Sequence, residues 1–112
     1  MQAYHLARFR GDVAAARALL SDGFGFESPL MRGGADDHLD SLGAFLSVVT
    51  GVDMVSALYG ADEATLVYDV HTATPVGTQR TAEHFRLTGG RITAIRLIFD
   101  ASGWRRLLPA TL

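Results

Sequence analysis

The chain has no cysteine, which removes disulfides and thiolate metal sites from consideration. It has no lysine: all 10 basic residues are arginine, so no amine is available for a Schiff base. Basic runs are missing and the net charge is −2, a balance that argues against nucleic acid as a partner. No apolar stretch approaches the length of a membrane span. The opening Met1-Gln2-Ala3-Tyr4-His5 lacks the charged start and apolar run of a secretion signal. The expectation is a soluble cytoplasmic protein with no membrane partner. Repeats and low-complexity tracts are also absent, and the histidine spacings match no metal site.

What is present suits one globular domain. The 112 residues are 48% hydrophobic, enough to fill a core without staples. Residues 2–10 read as a helix anchored by Leu6 and Phe9. Gly11 interrupts it, and Asp12 is a good N-cap for a second, alanine-rich helix over residues 13–20. Asp22-Gly23 reads as a turn, residues 24–28 as a short strand stopped by Pro29, and residues 31–35 as a loop. Asp36 or Asp37 can cap a third helix running to about residue 50, with Leu39, Leu42, Phe45, Leu46 and Val49 as its apolar stripe and Gly51 as its stop. Strands follow over residues 54–59, 64–72, 77–87 and 92–99, and residues 104–108 form a final cover. Helices first and strands afterwards is the order of an α+β domain. The expected architecture is three N-terminal helices packed on a curved, mainly antiparallel mixed sheet, enclosing a cone-shaped cavity for a small apolar ligand.

The last two strands carry the most chemistry. Two glycines at their junction supply the positive φ of a tight turn. A loop of Gly89-Gly90 alone sets Glu83 opposite Arg96, as a surface ion pair. A loop of Thr88-Gly89-Gly90 sets Glu83 opposite Ile95. The second register separates polarity better, because it gathers Phe85, Leu87, Ile95, Leu97 and Phe99 on one face. Glu83 is then a carboxyl on an apolar wall, where desolvation raises its pKa. The opposite face would carry Arg80, Arg86 and Arg96 with Ile92 and Ile98, a mixture suited to a homodimer interface. If Leu66, Tyr68, Val70 and Thr72 point inward, His71 points outward; His38 is expected on the polar side of its helix.

Four segments, in this order, resemble the nuclear transport factor 2-like superfamily. They are Tyr4 with the Gly11-Asp12 break seven residues later, Glu27-Ser28-Pro29, Glu83-His84-Phe85-Arg86, and the closing strand at residues 96–99. The likeness is to the SnoaL-like and ketosteroid isomerase-like branches and covers residues 1–112 as one domain. It implies a conical fold, often dimeric, with an apolar pocket and no cofactor. By this resemblance Tyr4 takes the place of a tyrosine that donates to an oxyanion, and Glu83 that of a strand acid. The base position before the proline is Ser28 here. A hydroxyl without an activating partner does not abstract a carbon-bound proton near neutral pH, which counts against steroid isomerisation. The SnoaL-like cyclases pair a strand acid with a nearby histidine, a role that His71 would fill.

The candidate catalytic residues are therefore Glu83, Tyr4 and His71. Phe26, Ser28, Phe45, Val70, Phe85, Ile95, Leu97 and Phe99 would line an open cone. The expected function is a small-molecule pocket protein, either an isomerase, cyclase or dehydratase using acid/base chemistry, or a non-catalytic binding or dimerisation domain. On this reading, Glu83→Gln abolishes turnover and leaves the fold intact, an outcome checked by activity and circular dichroism together.

Overall fold

The computed structural model describes residues 2–107. The side chain of Leu6 and residue Leu108, both expected to cover the core, lie outside the described residues. Four helices and six strands follow one another as α1 (Gln2–Phe9), α2 (Val13–Ala18), β1 (Leu20–Glu27), β2 (Arg32–Gly33), α3 (Ala35–Leu46), β3 (Val49–Tyr59), β4 (Glu63–Thr72), β5 (Thr78–Thr88), β6 (Arg91–Ile98) and α4 (Ser102–Leu107). The sheet runs β2-β1-β6-β5-β4-β3, and only the β1–β6 pairing is parallel. This is the expected α+β cone on a curved mixed sheet. Among the described residues no helix is long and apolar enough to cross a membrane.

Local chemistry accounts for the helical start. Gly11 takes φ +80° and ends α1: its N–H donates to the Arg8 carbonyl, and the N–H of Asp12 reaches back to Ala7. Asp12 then caps α2 by accepting from the N–H of Ala15 at 3.1 Å. The third helix departs from expectation. Gly34 stands at its N-cap and Asp36 and Asp37 fall inside its first turn, where their charge favours the positive end of the helix dipole. It stops at Leu46, so Val49 and Gly51 belong to β3. The β-branched run Val48-Val49-Thr50 prefers extended backbone, and Val49 still packs on the core from the strand. The Asp22-Gly23 turn is realised as an irregularity within β1, where its pairing with β6 shifts between Leu20 and Gly25.

The β5–β6 hairpin adopts neither of the two simple registers. Gly89 and Gly90 take φ +60° and +79° and form a two-residue loop that pairs Thr88 with Arg91. A bulge then follows, because Leu87 faces Ile92 while Arg86 faces Ala94. Beyond it Phe85 faces Ile95, and Glu83 faces Leu97. Glu83 thus reaches the expected inner face with a different partner. The bulge also turns Ile92 inward, where it is buried, so it is not part of the outer face with Ile98.

The inner faces of β4 (Ala64, Leu66, Tyr68, Val70), β5 (Thr81, Glu83, Phe85) and β6 (Ile92, Ile95) form the floor of the core. Tyr4 and Ala7 of α1, and His38, Leu39 and Leu42 of α3, cover it. Since nothing lies within 4 Å of a Cβ built on Gly90, a side chain there meets backbone strain and no clash. Gly90→Val is expected to cost about 1–2 kcal/mol through the left-handed backbone alone, read as a lower urea midpoint with an unchanged slope.

Candidate functional site

Six polar or ionisable side chains from four elements meet inside the cone. Alternation along β5 points Glu83 inward, where it is 1% exposed. Both terminal nitrogens of Arg8, one from each side of the guanidinium, donate to its two carboxylate oxygens. The Tyr68 hydroxyl on β4 donates to the same carboxylate at 2.7 Å. Arg8 lies within 6 Å of the rings of Tyr4, Phe9, Tyr68 and Phe85, a cage that favours a cation. His5 places Nδ1 2.9 Å from the same guanidinium. Across the interior, the Tyr4 hydroxyl meets His38 Nε2 at 2.5 Å, and the His38 ring stacks on Phe26 with centroids 4.3 Å apart.

The electrostatics reverse one expectation. Burial alone would raise the Glu83 pKa, as the apolar wall suggested. The Arg8 charge, its hydrogen bonds and the Tyr68 hydroxyl outweigh burial and hold the carboxyl below its ordinary value of 4.5. Glu83 is therefore an ionised anchor, not a proton donor. Burial works against the Arg8 charge too, and Glu83 more than compensates. Tyr4 is pushed up to about 12, chiefly by burial, and stays protonated. Burial pushes His38 down to about 4, with Glu83 opposing and Arg8 adding to the fall; burial and Arg8 push His5 down to about 4. At neutral pH the cluster holds one cation, one anion and neutral hydrogen-bonding groups. Two buried polar atoms within it, Arg8 Nε and His38 Nδ1, have no partner among the described residues.

Of the sequence candidates, Tyr4, Glu83, Phe26 and Phe85 come together here, and Val70 and Ile95 lie in the same core. Leu97 and Phe45 pack partly buried against it, and Phe99 is half-buried. Ser28 stands apart: its hydroxyl accepts the N–H groups of Leu30 and Met31 and closes the turn after β1. His71 is not brought to Glu83. It lies on the outer face, with Nε2 2.7 Å from Asp53 and Nδ1 2.9 Å from the Thr78 hydroxyl, because Leu66, Tyr68 and Val70 take the inner positions of its strand. Arg80 is paired with Asp69 on that face, so the arginine that meets Glu83 comes from α1.

Arg8, His38 and Tyr68 were not singled out in the sequence, although a signal for two of them exists. Arg8 follows Tyr4 by four residues and so shares its helix face, and His38 precedes Leu42 by four. His38 is 4% exposed, a correction to its expected place on the polar side of α3. The open pocket also needs correcting. Tyr4, Leu66, Phe85, Ile92, Ile95 and Glu83 are each less than 2% exposed, so the cone is filled by its own side chains. Glu83→Gln is accordingly no longer expected to leave the fold intact, because it leaves the Arg8 charge buried without its counter-ion.

A conical α+β domain with a polar cluster under its first helix defines a class of fold, and the chain shares that fold with nuclear transport factor 2-like proteins. It is similar to the crystal structure of a protein from Kribbella flavida, with 33% identity over 94% of this chain and 87% of that one and a TM-score of 0.85. An NTF2-like protein of unknown function from Cytophaga hutchinsonii shares the fold at 18% identity, covering 93% of this chain and 89% of that one, with a TM-score of 0.77. A protein from Xanthomonas campestris provisionally named a polyketide cyclase does so at 18% identity, over 92% and 89%, with a TM-score of 0.74. The sequence matches no protein-family model and no curated protein.

The buried histidine makes stability depend on pH. The unfolded chain protonates near the ordinary 6.5, while folded His38 resists until about 4. The stability that this difference supplies is complete above 6.5 and is lost as pH falls towards 4. Between pH 6.5 and 5 the loss from His38 is expected to be roughly 2 kcal/mol. His38→Phe should flatten that slope in urea unfolding, leaving the smaller part due to half-buried His5.

Proposed function

We propose that the protein binds a small, largely apolar molecule bearing an acceptor oxygen against the Arg8–Tyr4–His38–Glu83 cluster, the side chains that fill the cone moving aside to admit it. One observation carries this reading: among the described residues, Arg8 Nε and His38 Nδ1 are buried without partners in an otherwise satisfied polar cluster. Such orphans cost about 1–3 kcal/mol each, and a core of apolar residues would avoid them. Arg8 Nε–H can only donate. The His38–Tyr4 pair holds two protons and one internal hydrogen bond, so it too retains a donor for a ligand. Glu83 already neutralises Arg8, so a neutral carbonyl suits the site better than an anion.

A second reading is favoured by the Tyr4–His38 contact. A protonated phenol beside a neutral imidazole forms a donor with a proton reservoir behind it, the arrangement an enolisation needs. On this reading the protein is a cofactor-independent isomerase, cyclase or dehydratase, with Tyr4 donating to the substrate oxygen and Glu83 receiving a proton once the ligand has displaced Arg8. The binding reading ranks first, because Glu83 is ionised and paired and Ser28 and His71 both lie away from it.

The pair itself supplies the test. Replacing one partner strands a buried charge, so Arg8→Met alone should destabilise by about 3–5 kcal/mol. Arg8→Met with Glu83→Leu removes both charges, and its stability should match or exceed the parent's. That double variant should lose binding of prodan, a neutral naphthyl ketone whose emission shifts to the blue in apolar surroundings. A stable double variant that binds prodan as tightly as the parent would sink the assignment and leave the cluster a structural feature.

A further inference from the structure

The cone is filled by its own side chains, so a ligand can enter only where an element moves. α4 packs beside Gln79 of β5 and Phe45 of α3, and none of its residues is buried. Among the described residues, its hold on the rest of the chain is slight. The Trp104 indole N–H donates to Gln79 Oε1 at 2.7 Å, and the Trp104 ring meets Phe45 edge-on with centroids 5.7 Å apart. Arg105 reaches the Pro29 carbonyl at 3.0 Å on the surface. Behind it, the Asp100 carboxylate accepts the N–H of Ser102, and Ala101 is buried as a pivot between β6 and the helix. A short helix held by one indole bond, one ring contact and one exposed arginine sits at the low-stability end of a fold.

What lies beneath this helix is polar. Gln79, Thr81 and Glu83 alternate along β5 and point inward, on a wall whose other members are apolar. Thr81 is 4% exposed, and its hydroxyl has only a long 3.4 Å bond to the Gln79 carbonyl of its own strand. A row of three hydrogen-bonding side chains therefore runs from the indole at the rim to the ion pair in the interior. The indole bond accounts for Gln79, but folding alone gives no reason for Thr81, since valine there would suit a buried strand better.

We propose that α4 is a gate: Trp104 covers the sheet at Gln79 by bonding it, and its release admits a carbonyl-bearing ligand along the Gln79–Thr81–Glu83 row. This rests on the interior cluster being the binding site. Release frees the Gln79 amide to take the ligand's oxygen first, before Thr81 and then the orphaned donors at Arg8 and His38. The aromatic faces of Phe45 and Trp104 favour a flat, ring-containing ligand at the rim.

Trp104 is the sole tryptophan, so its fluorescence reports the gate directly. Gln79→Leu removes the acceptor without adding bulk. It should raise acrylamide quenching of Trp104 several-fold and speed prodan uptake in stopped flow. The chain has no cysteine, and a Cβ on Gly103 would lie 3.3 Å from a Val76 methyl, so Val76→Cys with Gly103→Cys can lock α4 to the β4–β5 connection. The oxidised protein should take up prodan many-fold more slowly than the same protein reduced. Unchanged quenching in Gln79→Leu overturns the gate, and so does equal uptake by oxidised and reduced protein. Failure of the site is seen separately, as prodan binding that survives loss of both Arg8 and Glu83, whatever Trp104 does.

Discussion

The buried ion pair between Arg8 and Glu83 is the constraint around which the interior is arranged. Two unit charges removed from water cost several kcal/mol each unless every lone pair and proton finds a partner. The guanidinium fork meets the carboxylate with two hydrogen bonds, Tyr68 supplies a third, and four aromatic rings surround the cation. These demands fix α1 against the sheet more narrowly than apolar contact would, because an apolar helix can slide by a fraction of a turn and a bidentate pair cannot. Tyr4, one turn before Arg8, is thereby carried over Phe85 and against His38.

The pair depends in turn on the β5–β6 hairpin. The glycine turn sets a tight register at the tip, and the bulge between Arg86 and Leu87 resets it further down. Without the bulge, Glu83 would stand opposite Arg96, across from a ready counter-ion on the wrong side of the sheet. With it, Ile92 and Ile95 both reach the core although they are three residues apart, and Glu83 faces Leu97. A single added residue in one strand thus decides whether the carboxylate is a surface charge or the centre of the interior.

Much of the fold was legible. The helix break at Gly11-Asp12, the apolar stripe of α3 and the alternation in β4 and β5 are local patterns whose physics is short-ranged, and each lies close to its expected place. Alternation grouped Tyr68 with Val70 and Glu83 with Phe85 and set His71 on the opposite face from Tyr68, leaving open which face was inner. Arg8 was passed over, and His38 was expected on a polar face, for a different reason. Both are polar residues within helical turns, where the default is a solvated face, and only the presence of Glu83 and Tyr4 opposite them makes burial tolerable. Val49 was misplaced because its apolar spacing fits a helix while its β-branched neighbours favour a strand.

The amino-acid sequence by itself determined the class of fold, the preference for an inward Glu83 and the resemblance that points to an interior site, since these follow from periodicity, turn chemistry and the order of motifs along the chain. Only the tertiary structure decided the protonation of that carboxyl and the closure of the cone. A pKa is set by whichever charges and dipoles lie within a few ångströms, and the decisive one here is 75 positions away in the chain. Closure likewise depends on how side chains from α1, α3 and the sheet share one volume, which no local pattern encodes.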